Sequence, residues 1–208
     1  MVSNLRKASF IEEIDYNFLK SALSQYRHPR VKINEMIKNG KIIRVKKGLY
    51  VFGAELAENP YVKETLANLI YGPSYISLEY ALTFYGLIPE RTENVTSITN
   101  KRNKLFNTPA GTFSYRYIRP DIYSYGITLY EMDTYHSVII ASREKALADV
   151  LYFISKFTDE SELEKYLLEN LRIEPKSLMA LNLKTVSGLA VLYGHNVNLF
   201  SNLLRSYK

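Results

Sequence analysis

A helix stop that runs straight into a basic hairpin is the feature that most narrows the fold of this chain. Asn39-Gly40 is a C-terminal helix signal, because both residues tolerate the left-handed backbone at a helix end. The next residues, Lys41-Ile-Ile-Arg-Val-Lys-Lys-Gly-Leu-Tyr-Val-Phe52, are rich in β-branched and aromatic side chains on either side of Lys47-Gly48. They predict two short strands around a tight turn. Just upstream, Ile33, Met36 and Ile37 make the apolar stripe of a short helix, and Pro29 suits its first position. Earlier still, Ile14, Phe18, Ala22 and Leu23 recur at helical spacing. Ser9 with Glu12 fits a capping box for that helix, and Asp15 or Asn17 is an equally good cap. Helix, turn, helix, then hairpin is the order of a winged helix-turn-helix.

Charge singles out the same segment. Residues 1–53 carry 11 Lys and Arg against 4 Asp and Glu, a net +7, whereas residues 54–208 carry 16 against 17, a net −1. A basic head on a neutral body is the electrostatic footprint of a nucleic-acid-binding module. Residues 54–60 lack a strong period and end in Pro60, which marks a linker at the charge boundary. The expected division is therefore 1–53 as a DNA-binding head, 54–60 as linker and 61–208 as a larger α+β domain.

Within the head, a recognition helix has to offer polar and cationic groups to the major groove while its other face holds the core. Arg30, Asn34 and Lys38 fall at i, i+4 and i+8, on one stripe beside the apolar one. Arg27 and His28 stand at the start of that helix. Lys46 and Lys47 stand at the hairpin tip with Arg44 on its flank, suited to a phosphate or the minor groove. Thr99-Asn-Lys-Arg-Asn-Lys104 is a second cationic cluster, so Lys101, Arg102 and Lys104 are candidates for a nucleic-acid or partner contact, or else for a solvated loop.

The remainder predicts helices over 61–71, with Val62, Leu66, Leu69 and Ile70 inward, and within 74–86. Strands follow over 95–99, 112–118, 126–132 and 135–141. From Ser142 onward the pattern is helical, with Ser142 and the pair Asp159/Glu162 as caps. The fold class is α+β, with a small, mostly antiparallel sheet and a helical C-terminus.

Several chemistries lack their residues. There is no cysteine, hence no disulfide, thiolate nucleophile or thiolate metal site. His28, His136 and His195 are far apart and match no zinc spacing, and no P-loop, Gly-x-Ser-x-Gly or Gly-x-Gly-x-x-Gly is present. Glu144, Lys145 and Asp149 tempt a nuclease reading, but on a helix after Ser142 they read as a surface charge cluster. No catalytic residue, metal or cofactor is expected. No apolar run approaches the ~20 residues of a membrane span, and the first 15 residues have no signal-peptide core. A cytoplasmic, prokaryotic protein without membrane contact is expected.

Beyond these patterns, a series of motifs occurs in order over about residues 39–153. They are Asn39-Gly-Lys-Ile-Ile-Arg-Val-Lys-Lys-Gly-Leu-Tyr50, Tyr71-Gly-Pro-Ser-Tyr-Ile-Ser-Leu-Glu-Tyr-Ala-Leu-Thr-Phe-Tyr-Gly-Leu-Ile-Pro-Glu90, Thr99-Asn-Lys-Arg102 and Phe106-Asn-Thr-Pro109. Gly111-Thr-Phe-Ser-Tyr-Arg-Tyr-Ile118 and Ala141-Ser-Arg-Glu-Lys-Ala-Leu-Ala-Asp149 complete the series. In this the chain resembles the AbiEi-type antitoxins and transcriptional regulators of abortive-infection (type IV) toxin–antitoxin systems, which serve in phage defence. The resemblance implies a winged-helix head that binds inverted repeats of double-stranded DNA in its own promoter. It also implies a body that opposes a nucleotidyltransferase-like toxin without a stable complex. A monomer or weak dimer is expected on such an operator. The rival readings are a protein-interaction module that binds a toxin or other partner directly, with DNA binding secondary, and an enzyme of the nuclease kind.

Overall fold

A computed structural model of the chain describes residues 3–207. Residues 1, 2 and 208, at the outer ends of the expected units, lie outside the described residues. The architecture is α+β, with two sheets and a helical C-terminus.

The N-terminal part contains α1 (Ser3–Lys7), β1 (Glu13–Asp15), α2 (Tyr16–Ala22), α3 (Pro29–Lys38), β2 (Ile42–Lys46) and β3 (Leu49–Phe52). Its sheet has the order β1-β3-β2, all antiparallel. The hairpin and α3 lie where the sequence predicts them, with Pro29 at the first helical turn and positive φ at Gly40 and Gly48. The start differs. Ser9 caps no helix; its hydroxyl folds back on the backbone of Ile11. Asp15 is the cap instead, accepting from the Phe18 amide at 2.7 Å. Ile14 belongs to β1, opposite Tyr50. A three-residue strand is too short to display a period, so its apolar residue was absorbed into the helical pattern beside it.

The hairpin is covered on both faces. Ile42, Tyr50 and Phe52 join Leu5, Ile14, Leu19, Leu23, Ile33 and Met36 in one apolar core. Val45, Leu49 and Val51 point the other way into the core of the larger part. Alternation along each strand thus ties the two cores together.

The larger part runs α4 (Lys63–Ile70), β4 (Ser74–Ile76), α5 (Leu78–Phe84), β5 (Val95–Thr99), β6 (Lys104–Thr108), β7 (Gly111–Tyr117), α6 (Pro120–Tyr123), β8 (Ile127–Glu131), β9 (Ser137–Ala141) and α7 (Arg143–Tyr152). Then come α8 (Glu160–Lys165), a π-helical turn (Tyr166–Asn170), α9 (Pro175–Met179), α10 (Leu183–Tyr193) and α11 (His195–Ser206). The six-stranded sheet has the order β6-β7-β5-β4-β9-β8; β5–β7 and β4–β9 are parallel and the other three pairings antiparallel. Ser142 caps α7 and Asp159 caps α8, as predicted.

Two strands lie beyond the sequence prediction, and two expectations are corrected. The helix expected within 74–86 is α5, and ahead of it lies strand β4, whose three residues are all buried and so show no alternation. β6 escaped notice because it is an edge strand with mostly exposed side chains. Leu69 is 49% exposed, since Leu66, Ala67 and Ile70 define the buried stripe of α4 and leave it to one side. Finally, Lys145 and Asp149 are not a surface cluster: both are fully buried. Lys145 Nζ donates to the Ile122 carbonyl at 2.9 Å and to the Tyr193 hydroxyl at 2.5 Å, and lies 3.5 Å from Asp149 Oδ1. Ser77 and Tyr75 donate to Asp149 Oδ2 at 2.6 and 3.1 Å, and Tyr193 donates to Oδ1. Burial pushes the Lys145 pKa down and the Asp149 pKa up, each opposed by its partner. Of the trio, Glu144 is the more accessible, accepting from the Asn182 amide.

Polar contacts fasten the basic part to the rest. Buried Glu12 accepts from the amides of Glu58 and Asn59, and Arg6 Nη2 lies 3.1 Å from it, so the segment expected as linker is held at one end. Glu13 reaches His136 in the β8–β9 turn, and Phe10 stacks on Tyr135 with centroids 5.8 Å apart.

Candidate nucleic-acid interface

On α3, Ile33 and Met36 are buried while Arg30, Asn34 and Lys38 are exposed on the stripe beside them. The split follows from 3.6 residues per turn: once Ile33, Met36 and Ile37 face the core, positions 30, 34 and 38 lie on the neighbouring flank. Arg27 and His28, just before the helix, are exposed as well. Arg30 Nε donates to the Tyr16 hydroxyl of α2 at 2.9 Å, a hydrogen bond that raises the guanidinium pKa and fixes the direction of the side chain. Lys32 and Glu35 pair at 3.0 Å on the same helix, so this carboxylate is matched by a neighbouring cation.

The structure adds three residues that periodicity did not flag. Val31, an apolar side chain off the core stripe, is 65% exposed on the first turn of α3. Tyr16 and Lys20 of α2 join Arg27, His28, Arg30 and Val31 around a hollow of about 370 Å³. Val31 was legible as the apolar residue that breaks the stripe. Tyr16 and Lys20 were not, because their relation to α3 is tertiary.

The hairpin lysines part company. Lys47 and Arg44 are exposed. Lys46 is turned inward: its ammonium donates to the Leu69 carbonyl at 3.0 Å and to the Ile70 carbonyl at the end of α4. A cation there meets unpaired carbonyls and the negative end of the helix dipole. Burial lowers its pKa. Lys46 is therefore withdrawn from the hairpin tip, contrary to the expectation from sequence. Among the described residues, Arg27, Arg30, Lys38, Arg44 and Lys47 form no ion pair with a carboxylate.

The second cationic cluster is divided too. Lys101 donates to the Gly72 carbonyl at 2.6 Å and lies over the Tyr71 ring. Arg102 is exposed in the β5–β6 loop, and Lys104 is exposed on β6. Sequence reasoning missed Arg116 on β7, whose guanidinium carbon sits 3.8 Å above the Phe153 ring. Among the described residues, no group of three or more His, Asp or Glu is arranged to hold a metal. No helix of the described residues is long and apolar enough to cross a membrane.

No family model matches the chain, and no curated protein matches it. Among solved structures it is similar to the crystal structure of the RV2827C protein from Mycobacterium tuberculosis. The identity is 14% and the TM-score 0.66, covering 99% of this chain and 75% of that one. The likeness is one of fold, and it takes in the basic part and the larger part together.

Proposed function

We propose that this chain is a sequence-specific DNA-binding repressor whose N-terminal part is a winged helix-turn-helix. Its α3 enters the major groove and its β2–β3 hairpin is the wing. The observation that carries this reading is the two-sided character of α3. One side fills the head core with Ile33 and Met36. The other offers Arg30, Asn34 and Lys38, exposed and free of carboxylate partners, on an element about the width of a major groove. Arg30, oriented by Tyr16, is suited to a guanine edge; Asn34 is suited to an adenine edge and Val31 to a thymine methyl. Arg27, His28, Lys38, Arg44 and Lys47 are suited to phosphates, which fix register without reading sequence.

The ordered motifs over residues 39–153 support the more specific reading. The chain autoregulates its own operon through inverted repeats, and it acts as an antitoxin against a nucleotidyltransferase-like toxin. The body is read as non-catalytic; the Lys145–Asp149 pair that tempted a nuclease assignment is sealed in the core. Footprinting on the DNA upstream of the gene tests the repressor half, with protection of a two-fold repeat expected. Rescue of growth on co-expression with a neighbouring nucleotidyltransferase gene tests the antitoxin half. An unprotected upstream region overturns the first, and toxicity undiminished by the intact chain overturns the second.

One observation favours the rival interaction-module reading. Leu129 and Ile139 lie directly opposite one another on β8 and β9 and are 66% and 43% exposed. A partner that co-purifies through high salt and is lost on Leu129→Lys would support that reading over DNA binding.

A further inference from the structure

The β5–β6 loop, the end of β7 and Phe153 at the end of α7 border a shallow, open groove of about 720 Å³. Its cations are Lys101, Arg102 and Arg116, its aromatic walls are Tyr117 and Phe153, and no carboxylate lines it. Lys101 is held by Gly72 and Tyr71. The Arg116 guanidinium carbon sits over the Phe153 ring, 3.8 Å from its centroid. Asn103 Oδ1 accepts from the Tyr117 amide at 2.7 Å, which clips the loop to the strand end. Phe113 and Tyr115 of the same strand are buried, whereas Tyr117 is 45% exposed. A large aromatic side chain stands open to solvent in a cationic, acid-free recess, built on strand ends and fastened loop residues.

We propose that this groove is a binding site for single-stranded nucleic acid, separate from the α3 face. Arg102 and Lys101 take backbone phosphates, and the Tyr117 ring and the Phe153-backed Arg116 guanidinium take unstacked bases. Cations that follow a backbone beside flat π surfaces are how unpaired strands are held without sequence preference. A duplex keeps its base faces stacked inside, so it would engage the cations but could not lay a base on the rings. An acidic peptide would use the charge and leave Tyr117 idle. The volume suits a small ligand segment rather than a helix lying across the surface.

The site stands on the body, so its test is independent of the repressor reading. Labelled mixed-sequence oligonucleotides of about eight nucleotides, one RNA and one DNA, are titrated with the full chain by fluorescence anisotropy. Unlabelled duplex of the same sequence and polyglutamate serve as competitors. Binding of the single strands is expected, falling about tenfold or more in Tyr117→Ala and retained in Tyr117→Phe. Arg102→Ala should lower affinity and flatten the log–log salt slope by about 0.7. Lys47→Ala, which alters only the head, should lower affinity less than Arg102→Ala does. These side chains are exposed, so unaltered thermal melting of each variant is the folding control. A preference for the RNA over the DNA oligonucleotide, or the reverse, supports the site and identifies its source. The proposal is overturned if duplex competes as well as single strand, if polyglutamate does, if Tyr117→Ala binds like the parent, or if Lys47→Ala abolishes binding.

Discussion

Glu13 and His136, 123 residues apart, meet at 3.0 Å between Oε2 and Nε2, where the basic part rests on the six-stranded sheet. The other ring nitrogen of His136 lies 2.8 Å from Asp133 Oδ2, and Glu13 Oε1 accepts from the Val62 amide. With a carboxylate at each nitrogen, the ring donates twice only as imidazolium.

This arrangement has a pH signature. Burial opposes the charged ring, but the hydrogen bonds and charges of Asp133 and Glu13 outweigh it, and the His136 pKa is raised. A raised native pKa contributes stability that is complete below the unfolded value of about 6.5 and is lost as pH rises through the native value. Melting temperature should therefore decline above about pH 6.5, and His136→Ala should flatten that decline. The variant should also lose about 3 kcal/mol in urea unfolding, because buried Glu13 is left facing no cation. A parent whose melting is flat from pH 6 to 9 would contradict this.

Neighbouring lysines should behave differently. Lys47→Ala should flatten the log–log salt slope of duplex binding by about 0.9. Lys46→Ala should leave the slope nearly unchanged and cost about 1 kcal/mol of stability, since its ammonium holds the end of α4. Equal slope changes in both variants would mean that Lys46 leaves α4 to meet DNA.

Arg30→Ala should lose about 1–3 kcal/mol of discrimination at one base pair. Tyr16→Phe, which removes only the oxygen that orients Arg30, should lose part of that discrimination and keep binding to random duplex. Competition titrations over single-base operator variants read both effects.

The buried pair makes a stability prediction. Lys145→Ala alone should cost about 3–5 kcal/mol, as it strands Asp149 in the core. Lys145→Met combined with Asp149→Leu should lose less than the two single changes together, because both desolvation costs vanish. Urea unfolding of the three variants decides it; additive losses would refute the coupling.

Two glycines give a steric contrast. A Cβ on Gly53 would lie 1.8 Å from the Gly40 carbonyl oxygen, where backbone meets backbone, so Gly53→Ala should cost about 3 kcal/mol. A Cβ on Gly188 would lie 2.5 Å from the Tyr125 hydroxyl, but Tyr125 is 44% exposed and free to swing away. Gly188→Ala, inside a helix, should fall within about 1 kcal/mol of the parent. Comparable losses in both would be the contrary result.

What the sequence disclosed follows the length of its signals. The hairpin about Gly48, helix α3 (Pro29–Lys38) and the cap at Ser142 were legible, because each rests on several residues of one local pattern. β1 and β4, three residues each, carry too few positions for a period. Within the site, exposure of Arg30, Asn34 and Lys38 followed from helical geometry. The inward turn of Lys46, the hold of Tyr16 on Arg30 and the meeting of Arg116 with Phe153 did not, since each joins elements distant in sequence. Burial of Lys145 was hidden for the same reason: its partners Tyr193 and Ile122 come from α10 and α6.

The central claim is that the basic head reads DNA sequence, and a titration of the full chain tests it most directly. The chain is measured against its own upstream DNA and a scrambled duplex, each at two salt concentrations. Tighter binding to the upstream DNA is predicted, with a log–log salt slope near −4.5 for about five phosphate contacts once Lys46 is withdrawn. Equal, weak binding to both duplexes, or an affinity indifferent to salt, would contradict it.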